Sequence, residues 1–128
     1  MRQPKLSDLE LKIMDGVWTH GVSSIREIHE RFPPAKRPAY TSVQTMVNRL
    51  EAKKALVRVR KVGSAHLYEA AISRNAVRRR LISDFMPHFG GKASVLMACL
   101  VEAGNLSLDD IRQVEILLHD LRAKKDQP

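Results

Sequence analysis

The amino-acid sequence predicts a mainly α-helical fold that contains one short β-hairpin. Three observations support this prediction: capping-box patterns mark helix starts, apolar residues recur at helical spacing, and one central stretch alternates with the period of a strand. The chain has 128 residues, enough for one compact domain or for a small domain with an oligomerisation arm. Its aromatic content of 5% favours an aliphatic, helix-rich core.

Two capping-box patterns predict the first two helices. Ser7 precedes Glu10 by three residues, and Ser24 precedes Glu27 in the same way. In this motif the serine hydroxyl accepts a hydrogen bond from the third helical amide, and the glutamate reaches back to the serine amide. Pro33-Pro34 is predicted to end the second helix, because proline has no amide hydrogen and disfavours helix before it.

The third helix is predicted to begin at Thr41, with Gln44 engaged in a further capping box. Its apolar residues recur at i, i+3, i+4 and i+7 and form one buried stripe: Val43, Met46, Val47 and Leu50. The opposite face carries short or fork-shaped hydrogen-bonding side chains: Thr41, Ser42, Thr45, Asn48 and Arg49. Such side chains read base edges in the major groove of DNA, whereas a merely solvated face would more often carry Lys and Glu.

A strand-like alternation follows the third helix. Val57, Val59 and Leu67 alternate with polar neighbours, which predicts two half-buried strands joined by a turn at Val62-Gly63-Ser64. Two helices, a polar-faced helix and a hairpin form the order of a winged helix-turn-helix, in which the hairpin is the wing. The sequence therefore predicts a DNA-binding domain with a short wing.

The candidate DNA contacts fall into two groups. Base-edge contacts are predicted for the polar face of the third helix: Thr41, Ser42, Thr45, Asn48 and Arg49. Phosphate contacts are predicted for basic side chains before that helix and in the wing, with one histidine also in reach of DNA: Arg37, Arg58, Arg60, Lys61 and His66.

After Ala70 the apolar pattern is purely helical. Helices are predicted from Ser73, over residues 93–102 and from Ser107, and together they contain more apolar residues than a thin appendage could bury. A second copy of the chain is the simplest cover for the predicted interface residues: Leu81, Phe85, Leu96, Leu100, Ile111, Val114, Leu118 and Leu121. The predicted organisation is a DNA-binding domain over residues 1–72 and a helical dimerisation domain over residues 73–128.

The charge distribution agrees with this division. The formal net charge is +8, and residues 1–75 hold 14 Lys or Arg against 7 Asp or Glu, whereas residues 76–128 hold 8 against 7. A basic first part favours a polyanionic partner. Double-stranded DNA is favoured over a membrane, because no apolar run approaches the roughly 18 residues that span a bilayer.

Other classes of function have little support in the sequence. The histidines form no i, i+4 pair and no cysteine pair accompanies them, so neither a metal nor another cofactor is expected. No nucleophile elbow, phosphate loop or HExxH motif is present, so the chain is not expected to be an enzyme. The single Cys99 is predicted to be packed in a core, and the lack of a signal-type apolar segment after Met1 predicts a cytoplasmic protein.

Several motifs in a fixed order resemble one bacterial family. They are Leu6-Ser7-Asp8-Leu9-Glu10 with Met14 and Trp18, Ala39-Tyr40-Thr41-Ser42-Val43-Gln44-Thr45, Arg49-Leu50-Glu51-Ala52-Lys53-Lys54, Tyr68, Phe89-Gly90-Gly91 and Leu106-Ser107. Over nearly its whole length the chain resembles the penicillinase repressor family, which includes methicillin-resistance and copper-responsive repressors. The resemblance implies a homodimer that binds inverted-repeat operators through two winged helices and represses transcription, with the C-terminal helices as the dimer interface.

The chain departs from the family pattern at three places. Cys99-Leu100 stands where members cut by a membrane sensor protease typically have an Asn-Phe pair, so induction with that specificity is not expected and any sensor or protease partner is left open. Asp126-Gln127-Pro128 lacks the cysteine cluster of the copper-responsive members. Ala55 stands where the family usually has Gly, which would cost about 1 kcal/mol if that residue were left-handed.

An alternative from another class remains open. A winged helix can also serve protein–protein assembly, with its basic face on an acidic partner. The short, uncharged middle of the third helix favours DNA, and the salt dependence of DNA binding distinguishes the two hypotheses.

Overall fold

The computed structural model describes residues 4–126 and contains the predicted order of helices and hairpin. The elements are α1 (Asp8–His20), β1 (Ser23–Ser24), α2 (Ile25–Glu30), α3 (Tyr40–Ala52), β2 (Leu56–Val62), β3 (Ala65–Ala70), α4 (Arg74–Phe85), α5 (Ala93–Glu102) and α6 (Leu108–Lys125). Two short 3-10 turns cover Pro34–Lys36 and Met86–Phe89. The bounds predicted for α5 are confirmed, and none of the helices within residues 4–126 has the length and apolar composition needed to cross a bilayer.

The predicted capping boxes of the first two helices are confirmed. The Ser7 hydroxyl accepts from the Glu10 amide at 3.2 Å, and the Ser24 hydroxyl accepts from the Glu27 amide at 3.2 Å. In both helices the glutamate carboxylate accepts from the serine amide. These bonds satisfy amides that would otherwise lack partners at a helix start.

The capping box predicted at Thr41 is wrong. Helix α3 begins one residue earlier, at Tyr40, and its N-cap is Ala39, which has no side-chain cap. Ala39 has the extended backbone of a cap (φ −60°, ψ 147°), and its carbonyl accepts from the amides of Ser42 and Val43. Thr41 therefore already has helical backbone and is not available as the cap.

The core of the first part lies between α1, α2, α3 and the hairpin. Its buried apolar side chains are Ile13, Met14, Val17, Ile28, Val43, Val47, Leu50, Ala55, Leu56 and Tyr68. The predicted apolar stripe of α3 is confirmed at three positions, and Met46 is half-buried against the same core. This burial holds the opposite face of α3 outward.

The hairpin belongs to a three-stranded antiparallel sheet in the order β1-β3-β2, and the two-residue β1 was not predicted. The predicted half-buried face of the hairpin is wrong at Val57 and Val59, which are 42% and 40% exposed, whereas Leu67 is half-buried as predicted. Leu56 and Tyr68 point into the core instead, and Arg58 pairs directly with Tyr68. In β2 the period-two pattern was out of phase by one residue, and an irregularity between Arg58 and Arg60 interrupts the alternation.

The first part of α4 packs against α1. The Trp18 indole nitrogen donates to the Ile72 carbonyl at 2.9 Å, and Arg74 donates to an Asp15 carboxylate oxygen at 2.8 Å. Val77 is buried on the same side. Accordingly the chain divides into two compact units within α4, at Met1–Ile82 and Ser83–Pro128.

The second unit contains the end of α4, α5 and α6. Gly90 and Gly91 have φ values of 63° and 71° in the turn before α5, a left-handed conformation that suits glycine. None of the described residues from Ser83 to Asp126 is buried. The prediction that Cys99 is packed in a core is therefore wrong: the thiol is exposed, because so few helices cannot enclose α5.

Candidate nucleic-acid interface

Helix α3 presents a polar, exposed face. The predicted base-contact residues Thr41, Ser42, Thr45, Asn48 and Arg49 are all exposed. The Thr45 hydroxyl donates to the Thr41 carbonyl at 2.9 Å, which holds that side chain close to the helix surface. Because the apolar stripe fixes the rotation of α3 against the core, these side chains share one outward surface.

Gln44 and Tyr40 also lie on the exposed surface of α3, although the residue pattern did not predict them as contacts. Gln44 is exposed and takes part in no cap. Tyr40 is 44% exposed, and its ring stands edge-on to His29 at a centroid distance of 5.4 Å. The spacing of Gln44 from Thr41 and Asn48, at i+3 and i+4, was the signal that could have placed it on this face.

Arg37 is engaged in the connection between α2 and α3. Its guanidinium Nε donates to the Phe32 carbonyl at 3.1 Å, and Nη2 donates to the Glu30 carbonyl at 2.9 Å. These bonds satisfy carbonyls at and just beyond the end of α2. The side chain thus holds the turn before α3, and its phosphate contact stays a prediction.

The wing residue Arg58 links the sheet to α3. Its Nε lies 2.9 Å from a Glu51 carboxylate oxygen, its guanidinium carbon lies 5.8 Å from the centroid of the Tyr68 ring, and its Nη1 donates to His66 Nε2 at 3.4 Å. This engagement follows from the corrected strand phase, which places Arg58 on the same face as Tyr68. Arg60 and Lys61 extend further along β2 and are exposed.

A left-handed residue joins α3 to the wing, and it is Lys54 rather than Ala55. Lys54 has φ 63°, and its amide donates to the Glu51 carbonyl at 3.0 Å. The Ala55 amide donates to the Leu50 carbonyl at 2.9 Å, which completes a Schellman motif. The condition for a penalty at Ala55 is therefore not met, because the left-handed residue is Lys54 and Ala55 is a buried residue immediately before β2.

Electrostatics at the helix starts keep two carboxylates ionised. Hydrogen bonds from the backbone amide and the hydroxyl of Ser24 lower the pKa of Glu27. Burial raises the pKa of Glu10, but hydrogen bonds from Lys53 and Ser7 outweigh it, so that this pKa is lowered as well. Within residues 4–126, no cluster of His, Cys, Asp or Glu has the composition of a metal site.

The sequence of the chain matches the family described as penicillinase repressor over residues 6–120. The chain belongs to the penicillinase repressor family. The class of function follows from this membership: the chain is a DNA-binding transcriptional repressor, as the polar face of α3 and the basic wing predicted.

The chain is similar to one curated regulator and to one solved DNA-binding domain. The transcriptional regulator BlaI of Mycobacterium tuberculosis is 26% identical over 113 residues, covering 85% of this chain and 81% of the relative. The solution structure of the DNA-binding domain of the repressor BlaI matches with a TM-score of 0.52 and 28% identity, covering 59% of this chain and 93% of that domain. The predicted fold class, mainly α with a winged helix, is confirmed.

Proposed function

We propose that this repressor is a homodimer that binds inverted-repeat operators in double-stranded DNA. Helix α3 enters the major groove, and the wing formed by β2 and β3 lies on the phosphate backbone. The observation that carries the proposal is the outward face of α3, which is exposed, polar and uncharged in its middle while Val43, Val47 and Leu50 on its other face are buried. Such a face suits base edges better than it suits an acidic protein surface.

The contacts are divided by the chemistry of the side chains. Base edges are met by the polar face of α3: Thr41, Ser42, Gln44, Thr45, Asn48 and Arg49. Phosphates are met by Arg37 before α3 and by the wing residues Arg58, Arg60, Lys61 and His66. Thr, Ser, Asn and Gln offer donors and acceptors at short reach, and Arg offers a fork that matches guanine. The exposed cations contribute affinity that does not depend on sequence.

The dimer is supported by the apolar surface of the C-terminal helices. Five predicted interface residues are exposed in the chain alone, Phe85, Ile111, Val114, Leu118 and Leu121, and three are half-buried, Leu81, Leu96 and Leu100. Exposed apolar surface of this extent is unfavourable in water and typical of an association surface. A second copy would cover it and would also set the spacing between operator half-sites.

The same proposal includes the chemistry, the localisation and the domain organisation of the protein. The protein acts without a cofactor, metal or catalytic step, and it works in the bacterial cytoplasm, where DNA is accessible. The boundary between a DNA-binding domain over residues 1–72 and a dimerisation domain over residues 73–128 is part of the proposal too.

Fluorescence anisotropy tests the proposal directly. The purified chain is titrated into labelled DNA from its own promoter region and into a scrambled duplex, at ~50 and ~200 mM salt. We expect promoter DNA to be preferred by about a hundredfold or more. If the dimer makes about 6–10 phosphate contacts, its affinity should fall by about 10³–10⁵ between the two salt concentrations.

The alternative predicts a different result. Equal, weak binding to both duplexes would contradict an operator-specific repressor for this promoter and favour a winged helix that meets an acidic protein partner.

A further inference from the structure

Glu10 is a buried charge whose partner lies on the DNA-reading helix. It belongs to α1 and is 3% exposed. Its Oε1 accepts from the Ser7 amide at 3.1 Å and from the Lys53 ammonium at 2.8 Å. Lys53 is the C-cap of α3 and is separated from Glu10 by 43 residues in the sequence. The carboxylate therefore ties the first helix to the end of α3.

The bond between Glu10 and Lys53 lies at the junction between α3 and the wing. Lys53 also donates to the Lys5 carbonyl at 3.0 Å, so its ammonium is held from two sides. The next residue, Lys54, turns the chain in a left-handed conformation, and the Ala55 carbonyl then accepts from the Ala71 amide at 2.8 Å. A displacement of Lys53 would consequently move the last turn of α3 and the first residues of β2 together.

The capping box alone does not explain a charge at position 10. The neutral side chain of Gln fills the same role in this motif. Burying an ionised carboxylate is costly, and Glu10 Oε2 is buried without a hydrogen-bond partner among the described residues. Glu27 makes the same box with Ser24 at an exposed site, without a lysine bonded to it. The feature that distinguishes Glu10 is the bond to Lys53.

We propose that Glu10 and Lys53 form a positioning pair, which sets the direction of α3 and the wing relative to α1 and thereby the affinity for the operator. Glu10 is enclosed and does not touch DNA in this arrangement. The inference rests on the proposed function, since its readout is operator binding.

The variant Glu10→Gln separates positioning from simple electrostatics. Gln preserves the cap and nearly the same volume, but it removes the ionic partner of Lys53. It also makes the net charge, +8 in the natural chain, one unit more positive, which by itself would strengthen binding to any DNA. A positioning role predicts the opposite sign for the operator: an affinity about tenfold weaker, with unchanged or stronger binding to a scrambled duplex.

Matched variants provide the controls. Glu27→Gln changes the charge in the same way in the equivalent box and should keep the ratio of operator to scrambled affinity. Lys53→Met removes the ammonium and keeps the aliphatic stem. If the two residues act as a pair, Glu10→Gln with Lys53→Met should lower the ratio no more than either single change. Circular dichroism at the assay temperature confirms that each variant is folded.

The outcomes are distinguishable. A natural chain that does not prefer the operator contradicts the proposed function. An operator preference that Glu10→Gln leaves unchanged or increases overturns the positioning pair. If Glu10→Gln does not fold at the assay temperature, Lys53→Met decides: loss of affinity for both duplexes alike indicates a phosphate contact and overturns the inference, whereas a lower ratio supports it.

Discussion

At the scale of single residues, the position at which α3 begins decides which side chains are exposed on its proposed DNA-reading face. A cap at Thr41 would occupy Gln44, whereas a helix that begins at Tyr40 leaves Gln44 exposed between Thr41 and Asn48. Gln can form two hydrogen bonds with adenine in the major groove, and Arg can form two with guanine. Gln44 and Arg49 are therefore the residues of α3 from which we expect the largest single contributions to specificity.

Gln44→Ala and Arg49→Ala should each weaken operator binding by about 1–3 kcal/mol and relax the preference for one base pair. Both side chains are exposed, so the free energy of unfolding of each variant should stay within about 0.5 kcal/mol of the value for the natural chain. Anisotropy titrations against the operator and against single-base variants measure both effects. Unchanged discrimination in Gln44→Ala would assign this residue to the solvated surface instead.

At the scale of secondary-structure elements, the connection between α3 and β2 contains a left-handed residue, Lys54. It is the one non-glycine residue with positive φ among residues 4–126. A left-handed conformation is unfavourable for a residue with a Cβ atom and is adopted freely by glycine. Ala55 has a different requirement, because it is fully buried immediately before β2. The two neighbouring positions should therefore respond in opposite ways to the same substitution.

Lys54→Gly should increase the free energy of unfolding by about 1 kcal/mol, since it relieves the left-handed strain. Ala55→Gly should decrease it by about 0.5–1 kcal/mol, because glycine loses more conformational freedom on folding and buries no methyl group. Urea unfolding followed by circular dichroism measures both changes. Stabilisation by Ala55→Gly would mean that the left-handed residue has been assigned to the wrong position.

Because of the two capping boxes, the stability of the fold should decrease at acidic pH. The pKa values of Glu10 and Glu27 lie below their ordinary value of 4.5 in the folded chain, so folding favours their ionised forms. Their contribution is complete above pH 4.5 and is lost as the pH falls through the lowered values. The urea concentration at the midpoint of unfolding should therefore decrease as the pH is lowered below 4.5. The decrease should be less steep in Glu27→Gln, because glutamine keeps the cap but cannot titrate. An identical pH dependence in that variant would argue against this contribution.

At the scale of the whole molecule, we propose different functions for the basic first part and the apolar last part of the chain. The excess positive charge lies almost entirely before residue 76, where α3 and the wing are found. The exposed apolar side chains of α6 lie in the second unit, where no described residue is buried. A repressor that reads two half-sites needs both features, since association of the apolar surfaces brings two reading helices onto one operator.

Leu118→Asp should dissociate the dimer, because it places a charge within the apolar surface of α6. Ala123→Asp introduces the same charge about 140° further around the helix and should leave the dimer intact. Sedimentation velocity distinguishes monomer from dimer, and operator affinity should fall only in the first variant. A Leu118→Asp chain that still sediments as a dimer would exclude α6 as the centre of the interface.

The sequence by itself determined the features that depend on neighbours along the chain. The capping boxes at Ser7 and Ser24, the bounds of α5 and the order of helices and hairpin follow from contacts within about four residues, which a local pattern records. Only the tertiary structure decided the inward phase of the hairpin and the bond between Glu10 and Lys53. These features depend on residues far apart in the chain that meet only when the core has formed, so no periodicity in the sequence encodes them.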